Sequence, residues 1–315
     1  MRALVVAVAL VALSAGCSDP QATEDTSWQH SDDPVPTSGL PFAVGDTVHL
    51  ADRAVDAGIA IAAFVVAGDG VYFIEDDDPD DGNRPSRGTR ELRFSAADGE
   101  VVDTGVDVLV ETLRASPDGR YLAAIDMASG EEDAFGTPQA ALVVWDLRTG
   151  EEIIRSSSAT GDPAEDDFAA LYPELEMNIS SIDDDGLRLD AVGTWSFDFV
   201  TGEGERLADD TGEAPAPLVS PDGTWRIDQR GKPQVLLGPG GVQLAPDAER
   251  ARLELYGWAD DTTAYGVLDG APAAVMTCEV PSGACSEVAD TAGRYVVLPN
   301  GLANGGLDLS DVASD

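Results

Sequence analysis

The stretch VVWDLRTG, residues 143–150, decides the fold because its pattern recurs along the chain. In each of four copies, a large or apolar residue is followed five places later by glycine. The four pairs are Phe94 and Gly99, Trp145 and Gly150, Phe197 and Gly202, and Cys278 and Gly283. Glycine suits a turn position with positive φ, where a Cβ is penalised. Each copy therefore predicts the end of one strand and a tight turn into the next.

A second set of turns alternates with these copies. The turns lie in VVAGDGVYFI (65–74), LRASPDGRYLAAI (113–125), SSIDDDGLRL (180–189), LVSPDGTWRI (218–227) and YGWADDTTAYGV (256–267). Each joins two short arms of alternating apolar residues, which is the period-two pattern of β-strands. With a fainter fifth copy at Leu236, the anchor residues are 51, 52, 39 and 42 positions apart. Spacing near 40 residues is typical of propeller blades, so each unit predicts a four-stranded blade.

The segments SPDGRYLA (116–123) and VVWDLRTG resemble the blade motif of the WD-repeat and TolB-like β-propellers. The resemblance covers about residues 42–300 and implies an all-β propeller. It departs from the strict WD pattern because the Gly-His that opens each WD repeat is missing, and only His30 and His49 occur in the chain. The looser bacterial type fits better. Propellers host enzymes, scaffolds and binding modules alike, so the resemblance implies no particular function.

Both ends of this region hold parts of a further blade. GDTVHLADRAV (45–55) has the strand pair that ends a blade, and AGRYVVLPNG (292–301) has the part that begins one. We therefore predict six blades, with one blade completed by both chain termini, because such closure removes the open edges of the ring. Seven blades and an open β-sandwich are the alternatives.

The first 16 residues predict an export signal peptide. Arg2 precedes an apolar run, residues 3–13, that is too short to span a bilayer, which needs about 20 residues. Cys17 follows Leu-Ser-Ala-Gly and resembles the lipobox cysteine of bacterial lipoproteins, although Leu13 stands one place further from it than usual. The resemblance implies a diacylated Cys17 and a lipid anchor on the extracytoplasmic face of the bacterial cell membrane. An ordinary secretory signal cut elsewhere is the alternative.

The rest of the chain divides into three parts. Residues 17–41 are polar and rich in Pro, Ser and Asp, which predicts a flexible acidic tether. The propeller is expected over residues 42–302 and a disordered tail over 303–315.

Cys278 and Cys285 are the remaining even pair, and in an oxidising compartment they predict a disulfide across one hairpin. Free thiols, or a redox or metal pair, are the alternatives.

Charge restricts the partners. The formal net charge is −41, from 59 acidic and 18 basic residues. Such a chain repels nucleic acid and anionic head groups, so we expect no nucleic-acid partner and contact with the membrane only through the lipid.

Long acidic loops are the candidate binding surface. They cover residues 75–91, 126–140, 156–170 and 205–217, and in a propeller they share the face opposite the tight turns. Loops of this length on a rigid scaffold tend to carry binding residues. The candidate residues are Glu75, Asp81, Glu131, Glu132, Asp133, Asp166 and Asp167.

The first of these loops also has a weak pattern for a divalent cation. Asp76, Asp78 and Asp80 alternate as calcium ligands can, but the EF-hand template fails because Pro79 takes its third position. The expectation is a solvated acidic loop, with the cation site as the alternative and no other cofactor.

Motifs for an enzyme class are absent from the sequence. It has no G-x-S-x-G elbow, P-loop, G-x-G-x-x-G or H-E-x-x-H. Glu111, Asp126 and Asp228 are the candidates for paired-carboxylate chemistry, although we expect them to be turn or loop-edge acids. Trp145, Trp195, Trp225 and Trp258 could stack on sugars, but packing within blades is the expectation.

The sequence thus favours a lipid-anchored, non-enzymatic binding or scaffold module for a protein, peptide or glycan of the cell envelope. The alternative is a carboxylate- or metal-dependent hydrolase or lyase with its site in the propeller funnel.

Overall fold

Short antiparallel strands make up most of the molecule. The computed structural model describes residues 27–36, 39–76, 88–96, 101–207, 218–231, 233–247, 253–270, 272–302 and 306–309. Within these ranges the only α-helix is α1 (Phe168–Leu171), and single 3₁₀ turns cover Ser27–Gln29, Val110–Thr112 and Pro239–Gly241. In this part of the chain, no helix has the length and apolar character that crossing a bilayer requires.

The strands follow one another as antiparallel meanders, which we number as units. Unit 1 begins with β1 (Phe42–Val44), β2 (Thr47–His49) and β3 (Ala54–Asp56). Unit 2 holds β4 (Ile61–Ala67), β5 (Gly70–Glu75), β6 (Thr89–Ala96) and β7 (Val101–Leu109). Unit 3 holds β8 (Arg114–Ala115), β9 (Tyr121–Asp126), β10 (Ala141–Asp146) and β11 (Glu151–Ser156). Unit 4 holds β12 (Asn178–Ile182), β13 (Gly186–Ala191), β14 (Gly193–Asp198) and β15 (Gly204–Arg206).

The remaining strands complete the chain and return to its start. Unit 5 holds β16 (Arg226–Asp228), β17 (Val235–Leu237) and β18 (Gln243–Leu244). Unit 6 holds β19 (Leu253–Trp258), β20 (Thr263–Leu268), β21 (Ala274–Glu279) and β22 (Cys285–Glu287). The last two strands are β23 (Tyr295–Val297) and β24 (Gly306–Asp308), which belong to unit 1.

Closure by both termini is confirmed. Strand β23 pairs with β1 through Ala43 and Val297, so a single sheet runs in the order β24-β23-β1-β2-β3. The first strands of neighbouring units contact one another, β23 with β4, β4 with β8, and β8 with β12. Sequential meanders whose first strands meet at a common axis form a β-propeller, as the repeat pattern predicts. The number of blades stays a prediction, because units 2 and 3 share one eight-stranded sheet and unit 5 has three described strands.

The glycine turns lie where the repeat places them. Those described connect β10 to β11, β14 to β15 and β21 to β22. The φ angles of Gly150, Gly202 and Gly283 are 73°, 71° and 74°. This left-handed region penalises a Cβ, which explains why glycine recurs at that position. Gly99 lies outside the described residues.

The core consists of apolar layers between neighbouring units. One layer joins units 2 and 3 around Tyr72 and Trp145, and another joins units 3 and 4 around Ile125 and Leu189. Because unit 3 is covered on both faces, every residue of β9 and β10 is buried. Strand β13, in contrast, has only alternate residues buried. Among the described residues, none of the core clusters joins unit 4 to unit 5.

Residues 27–36 lie against the propeller, although the sequence predicts a flexible tether through residue 41. Trp28 is buried between units 2 and 3, with its ring centroid 5.3 Å from that of Trp145. The Tyr72 hydroxyl donates a hydrogen bond to the Trp28 carbonyl. The backbone N–H of Ser31 donates to the Leu147 carbonyl at 2.8 Å. One large aromatic residue buries enough apolar area to hold an otherwise polar segment, and its polar neighbours hide that effect in the sequence.

The hairpin of β21 and β22 contains the disulfide expected from the sequence. Cys278 and Cys285 are directly opposed in the register of the two strands, with Cα atoms 4.1 Å apart. The bond therefore links neighbouring strands of unit 6.

Candidate functional site

Three candidate acids of the 126–140 and 156–170 loops form hydrogen bonds within those two loops. Asp133 is buried, and its carboxylate accepts hydrogen bonds from the backbone N–H groups of Phe135, Thr137 and Phe168. Burial opposes ionisation of this carboxyl, but the backbone hydrogen bonds outweigh burial and lower its pKa. Asp133 thus holds the 126–140 loop against α1 and has a structural role.

Other candidate acids of this face have similar positions. Asp166 accepts a hydrogen bond from the N–H of Asp162 at 2.7 Å. Asp167 caps α1 by accepting from the N–H of Ala170 at 3.2 Å. The Gln139 amide group donates to carbonyls of the 156–170 loop, so the two loops form one hydrogen-bonded body. Glu131 and Glu132 are exposed on it.

The first acidic loop is only partly described. Glu75 at its start forms an ion pair with Arg93 at 3.1 Å, and Asp76 is buried at 3% exposure. Asp78, Asp80 and Asp81 lie outside the described residues, as does Cys17. Within the described ranges, no group of three or more His, Cys, Asp or Glu side chains could hold a metal ion.

Two of the three acids considered for catalysis are ion-paired. Asp126 lies 3.0 Å from Arg155, and Asp228 lies 2.7 Å from Arg230. The Arg230 guanidinium holds the pKa of the Asp228 carboxyl at about 2. A general acid at neutral pH needs a raised pKa, whereas the ion pair with Arg230 lowers that of Asp228.

Three of the four tryptophans considered for stacking pack in the core. Trp145, Trp225 and Trp258 are 1%, 9% and 5% exposed. Trp195 is half-buried beside an open groove of about 390 Å³. Packing between units therefore explains three of these residues.

A cavity of about 530 Å³ lies where the first strands of the units end. Strand β4 contributes Val65 and Val66, β8 contributes Arg114 and Ala115, and β12 contributes residues 179–182. The wall is completed by Pro41, Pro221 and the residues 258–261 and 299–302. The cavity therefore opens on the turn face, which we define as the side carrying the turns after the first and third strands of each unit.

Arg114 is the buried cation of this cavity. Arg114 as a whole is only 8% exposed. One terminal nitrogen, Nη1, donates to the carbonyls of Glu111 and Leu113, each at 2.9 Å. The other, Nη2, donates to the Asn178 side-chain oxygen at 2.9 Å. All three acceptors are neutral, so the charge of Arg114 has no direct ionic partner among the described residues.

Burial changes the electrostatics of Arg114. Desolvation lowers the pKa of its guanidinium to about 10, against the opposing effect of the Glu111 carboxylate. The group remains protonated at neutral pH. A cation with neutral acceptors in a low-dielectric wall attracts anions more strongly than one in water.

The C-terminal turn closes one side of the cavity beside Arg114. Asn300 fixes it by donating from its side chain to the Val110 carbonyl at 2.7 Å and from its backbone N–H to the Phe64 carbonyl at 2.9 Å. Gly301 has a φ of 101°, and a Cβ built there would lie 3.4 Å from the Arg114 Cδ atom. Glycine thus permits the turn to approach the arginine.

Two acids, Asp260 and Asp261, also line the cavity. Asp260 accepts hydrogen bonds from the N–H and hydroxyl of Thr262 at 2.8 and 3.0 Å. Burial opposes its ionisation, but these hydrogen bonds outweigh burial and lower its pKa. Asp261 beside it is exposed. The cavity therefore combines one buried cation, an apolar wall and two acids, a combination suited to orienting a small ligand.

Sequence reasoning missed this cavity. It favoured the long loops, whereas Arg114 stands in LRASPDG, a segment that predicts only a strand and a turn. A basic residue on a first strand in a chain of charge −41 is the one signal that could have pointed to it.

Comparisons with known proteins give weak likenesses. No protein-family model and no curated protein matches the sequence. TolB from Acinetobacter baumannii has a TM-score of 0.40 and 10% identity, covering 83% of this chain and 65% of that chain. The β-propeller domain of the Trilobed protease from Pyrococcus furiosus has a TM-score of 0.39 and 10% identity, and the match covers 75% of this chain and 86% of that one. A Bacteroides thetaiotaomicron protein of unknown function has a TM-score of 0.35 and 13% identity, and the match covers 81% of this chain and 65% of that one. The chain thus spans 65% of the length of TolB. Likenesses at this level carry no functional argument, and the propeller assignment rests on the strand pairing.

Proposed function

We propose that this protein is a lipid-anchored, extracytoplasmic binding module for a protein, peptide or glycan of the cell envelope, with its ligand in the central cavity. The observation that carries the proposal is the cavity itself, whose wall is drawn from the first strands of several units and contains Arg114. Its volume lies within the range of small-molecule sites. The acidic loops are a weaker candidate because Asp133, Asp166 and Asp167 hold the loops together.

The attachment of the N-terminal segment adds an orientation to the proposal. If Cys17 carries lipid, Ser27 follows it by ten positions, a stretch that reaches about 35 Å at full extension. From Trp28 onward the segment contacts the turns at Leu147 and Gly68, and Gly39 lies at the cavity wall. Since residues 31 and 35 contact turns of the turn face, we infer that an anchor at Cys17 would lie on the side of the cavity mouth and that the mouth would face the membrane.

Anchoring is tested by replacing the proposed acylated residue. Cys17→Ala should move the protein from the membrane fraction to the soluble extracytoplasmic fraction, because the acyl chains are its only expected membrane contact. Metabolic labelling with a palmitate analogue should mark the wild type alone. Equal labelling of both proteins would remove lipid at Cys17 from the proposal.

Ligand capture tests the cavity. A photo-crosslinking amino acid at Ser181, which lies in the cavity wall, should trap the same partner repeatedly in intact cells. The matched control carries the probe at Glu131, exposed on the opposite face. Trapping at Glu131 alone would place binding on the acidic loops, and trapping at neither position would count against a binding module.

A further inference from the structure

We infer that the central cavity binds a ligand with a carboxylate on an apolar body and that Arg114 pairs with the carboxylate. This inference rests on the proposed binding function and names its ligand class. It is carried by the geometry of the guanidinium, the chemistry of the wall and the charge around them.

The unused donors of Arg114 match a carboxylate. A guanidinium has five N–H donors, and hydrogen bonds to Glu111, Leu113 and Asn178 account for three. The Nε–H and the second Nη2–H have no acceptor among the described residues. The Nε–H and the Nη2–H on the same side of the planar group form an edge that can bind both oxygens of a carboxylate, and the ligand is assigned to that edge.

The neighbours hold this edge in place. The bonds from Nη1 to two backbone carbonyls and from Nη2 to Asn178 fix the guanidinium at both ends. The turn at Gly301 packs beside the side chain, because a Cβ built there would lie 3.4 Å from Cδ and 3.6 Å from Nε, and the missing Cβ leaves room next to Nε. A preoriented arginine loses little side-chain entropy on binding, which favours affinity.

The charge of Arg114 is incompletely balanced within the protein. Glu111 is the acidic group that acts on it, and one Glu111 carboxylate oxygen already accepts from the N–H of Gly88 at 3.2 Å. A buried guanidinium that has lost water and has neutral acceptors gains most from an ionised partner. The ligand would supply that partner.

The wall next to Arg114 selects for apolar character. Val65 and Ile179 are 2% and 1% exposed, and both line the cavity with Pro299. An apolar body buried there gains about 25 cal/mol for each Å² removed from water. A fully hydrated anion such as phosphate would gain nothing from this wall, which is why we infer an apolar carboxylate.

Two sources supply such a group. The C-terminus of an apolar peptide falls within the proposed function as stated, and a fatty acid would extend that function to a lipid ligand. The probes are N-acetyl-Ala-Val-Leu and decanoate, each compared with its neutral amide by calorimetric titration of the full chain. We expect at least one acid to bind about tenfold or more tightly than its amide, because a charged hydrogen-bonded pair contributes about 1.5–3 kcal/mol. The acid that binds identifies the source.

Two variants test the role of Arg114. Arg114→Gln should abolish the preference for acid over amide, but it also removes bonds that support the fold. Asn178→Asp keeps the arginine and places a carboxylate beside Nη2, so it should compete with the ligand and abolish the preference without unfolding the protein. Gln243→Glu, an amide-to-acid change at an exposed position of β18, is the matched control and should keep the preference.

Three outcomes would overturn the inference. They are equal binding of acid and amide, no binding of either acid at millimolar concentration, and an unchanged preference in Asn178→Asp. If photo-crosslinking from Ser181 still captures a partner, only the carboxylate inference fails. If neither Ser181 nor Glu131 captures a partner, the proposed function fails as well.

Discussion

Asp146 shows how one residue of VVWDLRTG combines turn geometry with an ion pair. Its carboxylate accepts from the N–H of Arg148 at 3.1 Å and from the Arg120 guanidinium at 2.5 and 3.1 Å. Burial opposes its ionisation, but the hydrogen bonds and charge of Arg120 outweigh burial and lower its pKa below 3.8. The aspartate of the motif thus ties the β10 turn to the turn before β9.

Asp146→Asn should destabilise the protein at pH 7 by about 1.5–3 kcal/mol, since it removes charged hydrogen bonds of a buried group. A carboxyl whose pKa is lower in the folded than in the unfolded protein stabilises the fold at a pH above its unfolded-state pKa. This stabilisation is lost as the pH falls through the folded-state pKa. The difference in free energy of unfolding between Asp146→Asn and the wild type should therefore become smaller below pH 3.8. Urea unfolding of both proteins at pH 7 and pH 3 measures this difference. A larger difference at pH 3 than at pH 7 would contradict the ion pair between Asp146 and Arg120.

Asp133 gives a second prediction at this scale. Asp133→Ala leaves three backbone N–H groups without their acceptor, so the midpoint of thermal unfolding should fall. Glu131→Gln in the same loop is the control and should leave the midpoint unchanged, because Glu131 is exposed. Equal midpoints for both variants would show that the 126–140 loop does not depend on Asp133.

At the scale of elements, the N-terminal segment behaves as part of the propeller. Trp28→Ala should lower the free energy of unfolding by about 3–5 kcal/mol, the usual cost of truncating a large buried aromatic. Urea unfolding of the full chain provides the measurement. Phe135→Ala is the comparison, because Phe135 is 73% exposed and its loss should have little effect. Similar small losses in both variants would mean that the segment is not held by Trp28.

The strands should differ in their protection from hydrogen exchange. All six residues of β9 and of β10 are buried, whereas β16 and β17 have one buried residue each. Amides of β9 and β10 should therefore exchange slowest and those of β16 and β17 much faster, because local opening of a poorly covered sheet costs little. Exchange followed by mass spectrometry tests this, and uniform protection would contradict it.

At the scale of the whole molecule, the proposed lipid anchor would turn the cavity mouth towards the membrane. Val200 is 88% exposed on the turn between β14 and β15, and Phe135 is 73% exposed on the opposite loop face. Fluorophores at Val200→Cys and Phe135→Cys in proteoliposomes should be quenched unequally by quencher-labelled lipids, with stronger quenching at Val200. Stronger quenching at Phe135 would reverse the inferred orientation.

The sequence by itself determined the strands, the tight turns, the closure by both termini and the Cys278–Cys285 bond. These features follow from local rules, namely period-two apolar alternation, the positive φ of glycine and the spacing of repeats. Two features do not follow from such rules. One is that, among the described residues, no core cluster joins unit 4 to unit 5, and the other is the burial of Trp28 between units 2 and 3.

Only the tertiary structure decided the place of the candidate site. Arg114 meets Asn178 and Gly301, which are distant in the chain and come together only when the first strands of the units converge. Three loop acids that are conspicuous in the sequence, Asp133, Asp166 and Asp167, instead accept hydrogen bonds from backbone N–H groups of the same loops. A local pattern records which elements form, whereas burial and the partners of a charge depend on how distant elements pack.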